Sequence, residues 1–317
     1  MELKTMQENL HTIKNNIQKV IIGKSEQIDY LLTAFVAGGH VLLEDVPGTG
    51  KTMLAKSLAR SFGGKFSRVQ FTPDLLPADI TGLNIYNHKT ETFQFIEGPA
   101  FTNILLADEI NRATPRTQSS LLECMEEKQI SVDGTTYKLE EPFFVIATQN
   151  PIESAGTFPL PEAQLDRFMM MLSLGLPSEE EEIAIAVRML TDSPIETLES
   201  VCSTKDLLAM RKVAKSVFIH PCILNYAVKL IQSTRKHHTI EAGVSPRGTI
   251  SFLKAAQVFA IINERDYVTP DDIKALFHPV CNHRILYHAG ISRKEEYEIT
   301  TDILGSVPVP TEDWSQK

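Results

Sequence analysis

Cysteine is sparse in this chain and never paired closely. Cys124, Cys202, Cys222 and Cys281 are scattered over 317 residues with no C-x-x-C arrangement. That suits reduced thiols and argues against a disulfide framework. His278, Cys281, His283 and His288 fall in an H-x2-C-x-H-x4-H spacing, which matches no standard zinc pattern, so they read as ordinary helix and loop residues. No apolar run approaches the roughly 18 residues that a membrane-spanning helix needs. The opening Met1-Glu2-Leu3-Lys4 has no basic-then-apolar leader, so a cytoplasmic protein without a membrane span is expected. Positive charge is in deficit: 31 Lys and Arg stand against 40 Asp and Glu, a formal net charge of −9. Nucleic acid and anionic membrane are therefore poor candidates as partners. Internal repeats, low-complexity segments and nucleophilic Ser/His/Asp or Cys/His sets are also missing.

What is present begins with Asp45-Val46-Pro47-Gly48-Thr49-Gly50-Lys51-Thr52, set between the strand-like Val41–Glu44 and a helical run from Lys51 to about Phe62. Gly48 and Gly50 allow the tight turn that aims successive N–H groups at phosphate oxygens. In such a loop the lysine, Lys51, reaches the β- and γ-phosphates and the following hydroxyl, Thr52, ligates Mg²⁺. The helix adds its positive N-terminal end to the same site, so Pro47 to Met53 form the expected phosphate-binding set. Asp45 stands where the strict pattern has its first glycine. That position opens the loop, so its carboxylate is expected to turn away from the nucleotide.

Strand and helix alternate through the first half. A helical run from Ser25 to Ala37 stops at Gly38-Gly39, a glycine C-terminus. Lys65–Phe71, Ile104–Ala107, Phe143–Ala147 and Phe168–Leu174 read with Val41–Glu44 as five buried strands, and Thr114-Pro115 opens a helix. Such alternation predicts an α/β fold with a parallel sheet covered by helices on both faces. Two hairpin-like excursions interrupt it, about Leu83–Glu97 and Ile130–Leu139, the latter around the turn dipeptide Asp133-Gly134. Beyond Pro177 strand signals vanish and helix starts recur at Ser178 with Glu181, Ser203 with Asp206, and Thr269-Pro270-Asp271-Asp272. The expected division is a nucleotide-binding αβα domain over 1–176 and an all-α domain over 177–317. The proline-bearing tail from Ser306 is expected to be poorly ordered.

Several residues could act on a bound nucleotide. Asp108 and Glu109 follow a buried strand, which puts them at the carboxyl edge of the sheet beside the loop. Asp108 would hold Mg²⁺ and Glu109 would orient or deprotonate the attacking water. Asn150, after another strand, is by itself an ordinary strand-to-turn residue. Beside a phosphate loop it becomes a candidate polar sensor. Arg167 offers a fork of donors suited to phosphate, or a surface salt bridge with its neighbour Asp166. Arg247 sits in the first turn after Ser245-Pro246. A cation there opposes the helix dipole by about 0.3–1 kcal/mol, which an anionic partner would explain.

Together these segments resemble the MoxR family of AAA+ ATPases, over roughly Val20 to Arg284. The resemblance is carried by Leu42–Thr52, by Gln70-Phe71-Thr72-Pro73-Asp74-Leu75-Leu76-Pro77 and by Leu106-Ala107-Asp108-Glu109-Ile110-Asn111-Arg112-Ala113. Pro142–Glu153, Leu160–Phe168 and Ser245-Pro246-Arg247 extend it. It implies an AAA+ P-loop αβα sandwich with a five-stranded parallel sheet, followed by a helical lid. It also implies Mg²⁺-dependent hydrolysis of ATP in a homo-oligomeric, usually hexameric ring. Lys51 and Thr52 would belong to Walker A, and Asp108 and Glu109 to Walker B. Asn150 would be sensor 1, Arg247 sensor 2, and Arg167 the arginine finger serving a neighbour. Ile21-Ile22-Gly23 would bracket adenine, with Ile22 and Gly23 in contact. The first hairpin resembles the helix-2 insert, and Gln70 could restrain Glu109. Nucleotide binding would join the two domains through Arg247. The family suggests chaperone-like remodelling of protein complexes, with von Willebrand A domain proteins among the partners. A nucleotide-gated scaffold with negligible hydrolysis, a metallochelatase motor subunit and a DNA-remodelling motor are the alternatives.

Overall fold

A computed structural model describes residues 1–150, 156–191 and 194–310. At its centre lies a five-stranded sheet: β1 (Val41–Glu44), β2 (Phe66–Gln70), β3 (Ile104–Asp108), β4 (Phe144–Gln149) and β5 (Met170–Leu172). The order is β2-β3-β4-β1-β5 and every pairing is parallel. Three strands are buried on both faces, which is why they read as continuous apolar runs. The period of two still sorts their side chains. Val41, Leu43, Ile104, Leu106, Phe144 and Ile146 enter one core, and Leu42, Leu105, Ala107, Val145 and Ala147 enter the other. Helix Pro115–Glu127 covers the second core with Leu121, Leu122 and Met125. Helices Ser25–Ala37 and Lys51–Ser61 cover the first.

The structure adds a helix, Leu3–Gln18, whose first residue has no capping side chain. Met6, Leu10, Ile13 and Ile17 line one face and are buried. At about 1.5–3 kcal/mol per buried side chain, docking outweighs the missing cap. This helix and Ser25–Ala37 stand between the sheet and the later helices. The first core therefore continues into Leu207, Met210, Ile223, Phe252 and Phe277.

Capping boxes open the C-terminal helices where Ser/Thr and acid pairs mark them, at Ser203–Asp206 and Thr269–Asp272, and also at Ser292–Glu295. Ser178 and Glu181 exchange the same bonds ahead of helix Glu179–Thr191. Among the described residues this part is helical apart from a two-stranded antiparallel ribbon, Ile240–Ala242 with Leu286–Tyr287, and an isolated parallel bridge between Phe218 and Tyr267. Both hairpins form, as Gly82–Asn87 with Thr92–Glu97 and Gln129–Val132 with Thr135–Lys138. Strand β4 runs two residues past its apolar stretch, to Gln149, because Leu43 and Glu44 of β1 pair with Thr148 and Gln149. The His278 ring stacks on Tyr297 at 4.4 Å and the His283 Nε2 lies 3.0 Å from the Phe168 carbonyl. Of the expected tail, residues 311–317 lie outside the described residues. No helix among the described residues is long and apolar enough to cross a membrane.

Candidate nucleotide site

The loop from Asp45 to Gly50 joins β1 to helix Lys51–Ser61, at the carboxyl edge of the sheet. Gly48 and Gly50 have φ of +88° and +89°, the left-handed region that side chains avoid. A Cβ on either would meet open space, so the demand for glycine comes from the backbone alone. The Lys51 ammonium spans the loop and donates to the carbonyls of Asp45 and Val46, at 2.9 and 3.4 Å. Pro47 and Thr49 lie in the loop, while Thr52 and Met53 occupy the first helical turn.

Asp45 does turn its carboxylate away from the loop, but it is more than a tolerated substitution. It is buried, and it accepts hydrogen bonds from the Ser173 hydroxyl (2.7 Å) and the Leu174 and Gly175 amides (2.8 and 3.0 Å). A carboxylate holding three donors is a strong tie. It fastens the phosphate loop to the chain leaving β5 for the lid. Glu44, one residue earlier, receives the Arg293 guanidinium through two bonds of 2.8 Å. A second lid element is thereby tied to the same strand end. Gly23 lies beside this edge, where its φ of +76° favours glycine and a Cβ would push the Glu181 side chain aside. Ile22 precedes it, and Lys24 donates to the Leu176 carbonyl at 3.1 Å.

Asp108 ends β3 and Glu109 follows with φ +55°, an uncommon conformation for a side-chain-bearing residue. That turn aims the Glu109 amide at the Thr148 hydroxyl, 2.9 Å away, while the same hydroxyl donates to Asp108 Oδ1 at 2.6 Å. Thr148 is fully buried, so one side chain sets the geometry of both acids. The Glu109 carboxylate accepts from Gln70 Nε2 at 2.8 Å and pairs with Arg112 at 3.0 Å. Gln70 is thus placed as the resemblance implies. Asn150 follows β4, is buried, and closes the described segment on this edge.

The arginines lie elsewhere. Arg167 precedes β5, at the amino edge of the sheet, and pairs with Glu126 at 3.2 Å. Arg247 pairs with the other oxygen of Glu126 at 3.0 Å. Asp166, the alternative partner for Arg167, is taken by Arg284 at 2.7 Å and by the Ser245 hydroxyl at 3.1 Å. Both arginines line a cleft of about 520 Å³ with His40, Lys128 and Lys254. His40 immediately precedes β1 and Asp45 immediately follows it. The strand's four residues at about 3.3 Å each put roughly 13 Å between this edge and the chain's own phosphate loop. The expected link from Arg247 to its own nucleotide is therefore corrected. Sequence adjacency to Ser245-Pro246 says nothing of which sheet edge the helix start meets.

Sequence reasoning missed Thr148, Glu44 and Arg293. The first had a signal, since a hydroxyl within a buried strand beside two acids needs a partner. The ion pair spans 249 positions and left no local trace.

A phosphate loop after β1, two acids at the end of β3 across the intervening β4, and a helical lid define an ATPase module of the AAA class. Residues 40–170 match the ATPase family associated with various cellular activities (AAA), and residues 232–303 match the AAA lid domain. The chain is 41% identical over 315 residues to the chaperone MoxR1 of Mycobacterium tuberculosis, covering 95% of this chain and 83% of that one. It is 47% identical over 312 residues to YeaC of Bacillus subtilis, covering 96% and 98%. A solved candidate ATPase from Cytophaga hutchinsonii superposes with a TM-score of 0.89 at 37% identity, covering 97% of both chains. The chain belongs to the MoxR-type AAA+ ATPases.

Proposed function

We propose that this protein hydrolyses ATP in a ring of identical subunits and uses the cycle to remodel protein complexes in a chaperone-like way. The observation that carries this reading is the position of Arg167 and Arg247, side by side on Glu126 and one sheet height from their own phosphate loop. Two guanidiniums on an open cleft suit the nucleotide of a neighbour, and a head-to-tail contact that repeats closes into a ring. The chaperone part rests on the name of the Mycobacterium relative.

Each residue then has a task. The Gly48–Gly50 backbone and Lys51 bind phosphate, and Ile22 and Gly23 flank the base. Thr52 and Asp108 present hard oxygen donors, and Asp108 Oδ2 already receives a cationic side chain, so the pair fits Mg²⁺. When bound, that ion neutralises phosphate charge. Glu109 orients a water and takes its proton, and Asn150 hydrogen-bonds the phosphate end of the nucleotide without adding charge. Arg167 and Arg247 enter from the next subunit to balance the charge that develops during transfer.

Phosphate release measured over a dilution series tests the reading. Turnover per subunit should fall steeply as the ring dissociates. A constant value across the dissociation range would mean that each chain hydrolyses alone. No release at any concentration, despite bound nucleotide, would favour a scaffold.

A further inference from the structure

Arg68 lies on β2, the edge strand of the sheet, two residues before Gln70 and on the same face. Its Nε and Nη2 donate to Asp108 Oδ2 at 3.2 and 2.6 Å. The other carboxylate oxygen is already held by Thr148, so the guanidinium occupies the one outward oxygen of that acid. The same Nη2 lies 3.2 Å from Gln70 Oε1. With its oxygen bound there, the Gln70 amide must point its nitrogen at Glu109, where it donates at 2.8 Å. A single strap, Arg68–Gln70–Glu109, thus crosses both acids of the site.

We propose that Arg68 is the resting counter-ion of Asp108, standing where the divalent cation acts, and that its displacement by the cation releases Gln70 from Glu109. The inference rests on the nucleotide-site reading above and extends it to the order of events. A guanidinium and a divalent cation cannot share one outward carboxylate oxygen, since like charges a few ångströms apart repel strongly. Arg68 can yield because its side chain is 48% exposed, and its charge moves into water at small cost. Once it leaves, Gln70 Oε1 loses the donor that fixed the amide. Glu109 then has a freer carboxylate at the moment the metal and nucleotide arrive. The arrangement keeps Asp108 neutralised in the empty site and ties release of Gln70 from the water-activating acid to metal loading, while Arg112 stays paired with Glu109.

The test compares affinity for a fluorescent ATP analogue with Mg²⁺ and with EDTA, in wild type, Arg68→Gln and Arg68→Lys. Arg68 compensates Asp108 when metal is absent and competes when it is present. Its loss should weaken metal-free binding and strengthen binding with Mg²⁺. Exposed ion pairs of this kind shift equilibria by up to about fivefold, so the ratio of the two affinities should rise about three- to tenfold in R68Q. R68K, which keeps the charge, should stay near wild type. Arg68→Met keeps the stem and strand propensity, and as a second variant should follow R68Q. An unchanged or smaller ratio in the neutral variants would overturn the proposal while leaving the site reading intact. A wild type that binds neither form of nucleotide would instead remove the reading on which it rests.

Discussion

Replacing Thr148 with Val removes one hydroxyl and almost no volume. That hydroxyl donates to Asp108 Oδ1 at 2.6 Å and accepts from the Glu109 amide at 2.9 Å. The bond to the carboxylate is charge-assisted and contributes about 1.5–3 kcal/mol. The Glu109 amide left without a partner costs about a further 1–3 kcal/mol. The φ of +55° at Glu109 is held against a conformational cost of about 1–3 kcal/mol, and Thr148 is what holds it. Without it, both acids relax by a fraction of an ångström to an ångström. Displacements of that size cost up to about 100-fold in rate. Turnover of Thr148→Val should therefore fall about 10- to 100-fold, with the melting temperature several degrees lower. The Michaelis constant for ATP should change less than about threefold, because Gly48 to Thr52 are untouched. Thr148→Ser keeps the hydroxyl and should recover most of the rate. Steady-state phosphate release with thermal melts reads all three quantities. Turnover within twofold of wild type in Thr148→Val, at an unchanged melting temperature, would refute the reasoning.

Other consequences follow from the same geometry. Lys51→Ala should lose nucleotide binding, whereas Glu109→Gln should bind ATP with near wild-type affinity and fail to turn it over; equilibrium binding and phosphate release separate the two. Asp45→Ala strands the Leu174 and Gly175 amides at a cost of about 2–4 kcal/mol. Asp45→Gly, which restores the usual loop glycine, should be destabilised as much, and a melting temperature at or above wild type in either would dismiss the tie. Burial pushes the His40 ring down to about 4 from its ordinary 6.5. Its Nδ1 accepts from the Val145 amide at 3.0 Å and its Nε2 faces the Met125 carbonyl at 3.1 Å, so the ring is neutral with Nε2 donating. Because the folded value lies below the unfolded one, the full stability is present above about pH 6.5 and drains away as pH falls towards 4. The loss is of order 3 kcal/mol from this ring alone, with His283 pushed the same way. Melting curves from pH 7.5 to 4.5 should show that slope, smaller in His40→Gln; a flat profile would contradict it.

Much of this was legible in the chain because local physics wrote it there. β1 and helix Ser25–Ala37 have the limits expected of them, since glycine stops and a phosphate turn leave little choice. The helix starts at Ser178, Ser203 and Thr269 were legible for the same reason, whereas the capping box at Ser292 was not read. Gln70 was set against Glu109 by the family resemblance alone; the structure supplies the reason, since β2 and β3 are adjacent and parallel and their register brings Gln70 level with Asp108. What stayed hidden depends on distant pairing. Helix Leu3–Gln18 lacks a cap and is held by tertiary packing against helices Ser25–Ala37 and Lys51–Ser61 and against helices beyond residue 200. Asp45 looked like a harmless departure because its three donors lie near residue 174. Arg247 was assigned to the nucleotide because a cation in a first helical turn opposes the helix dipole and an anionic partner would explain it, and only the fold shows that it faces the amino edge of the sheet.

That edge decides the account. If the nucleotide site is completed by a neighbour, subunits crippled in complementary halves should help one another. Arg167→Ala removes the half that is lent, and Glu109→Gln removes the half that receives. Neither variant should hydrolyse ATP appreciably alone, yet mixtures should regain activity at interfaces that pair an intact Glu109 with an intact Arg167, with a maximum near equal proportions. Phosphate release across the mixing series measures this directly. Activity that stays at the level of the separate variants at every ratio, in mixtures shown to co-assemble, would contradict the shared site.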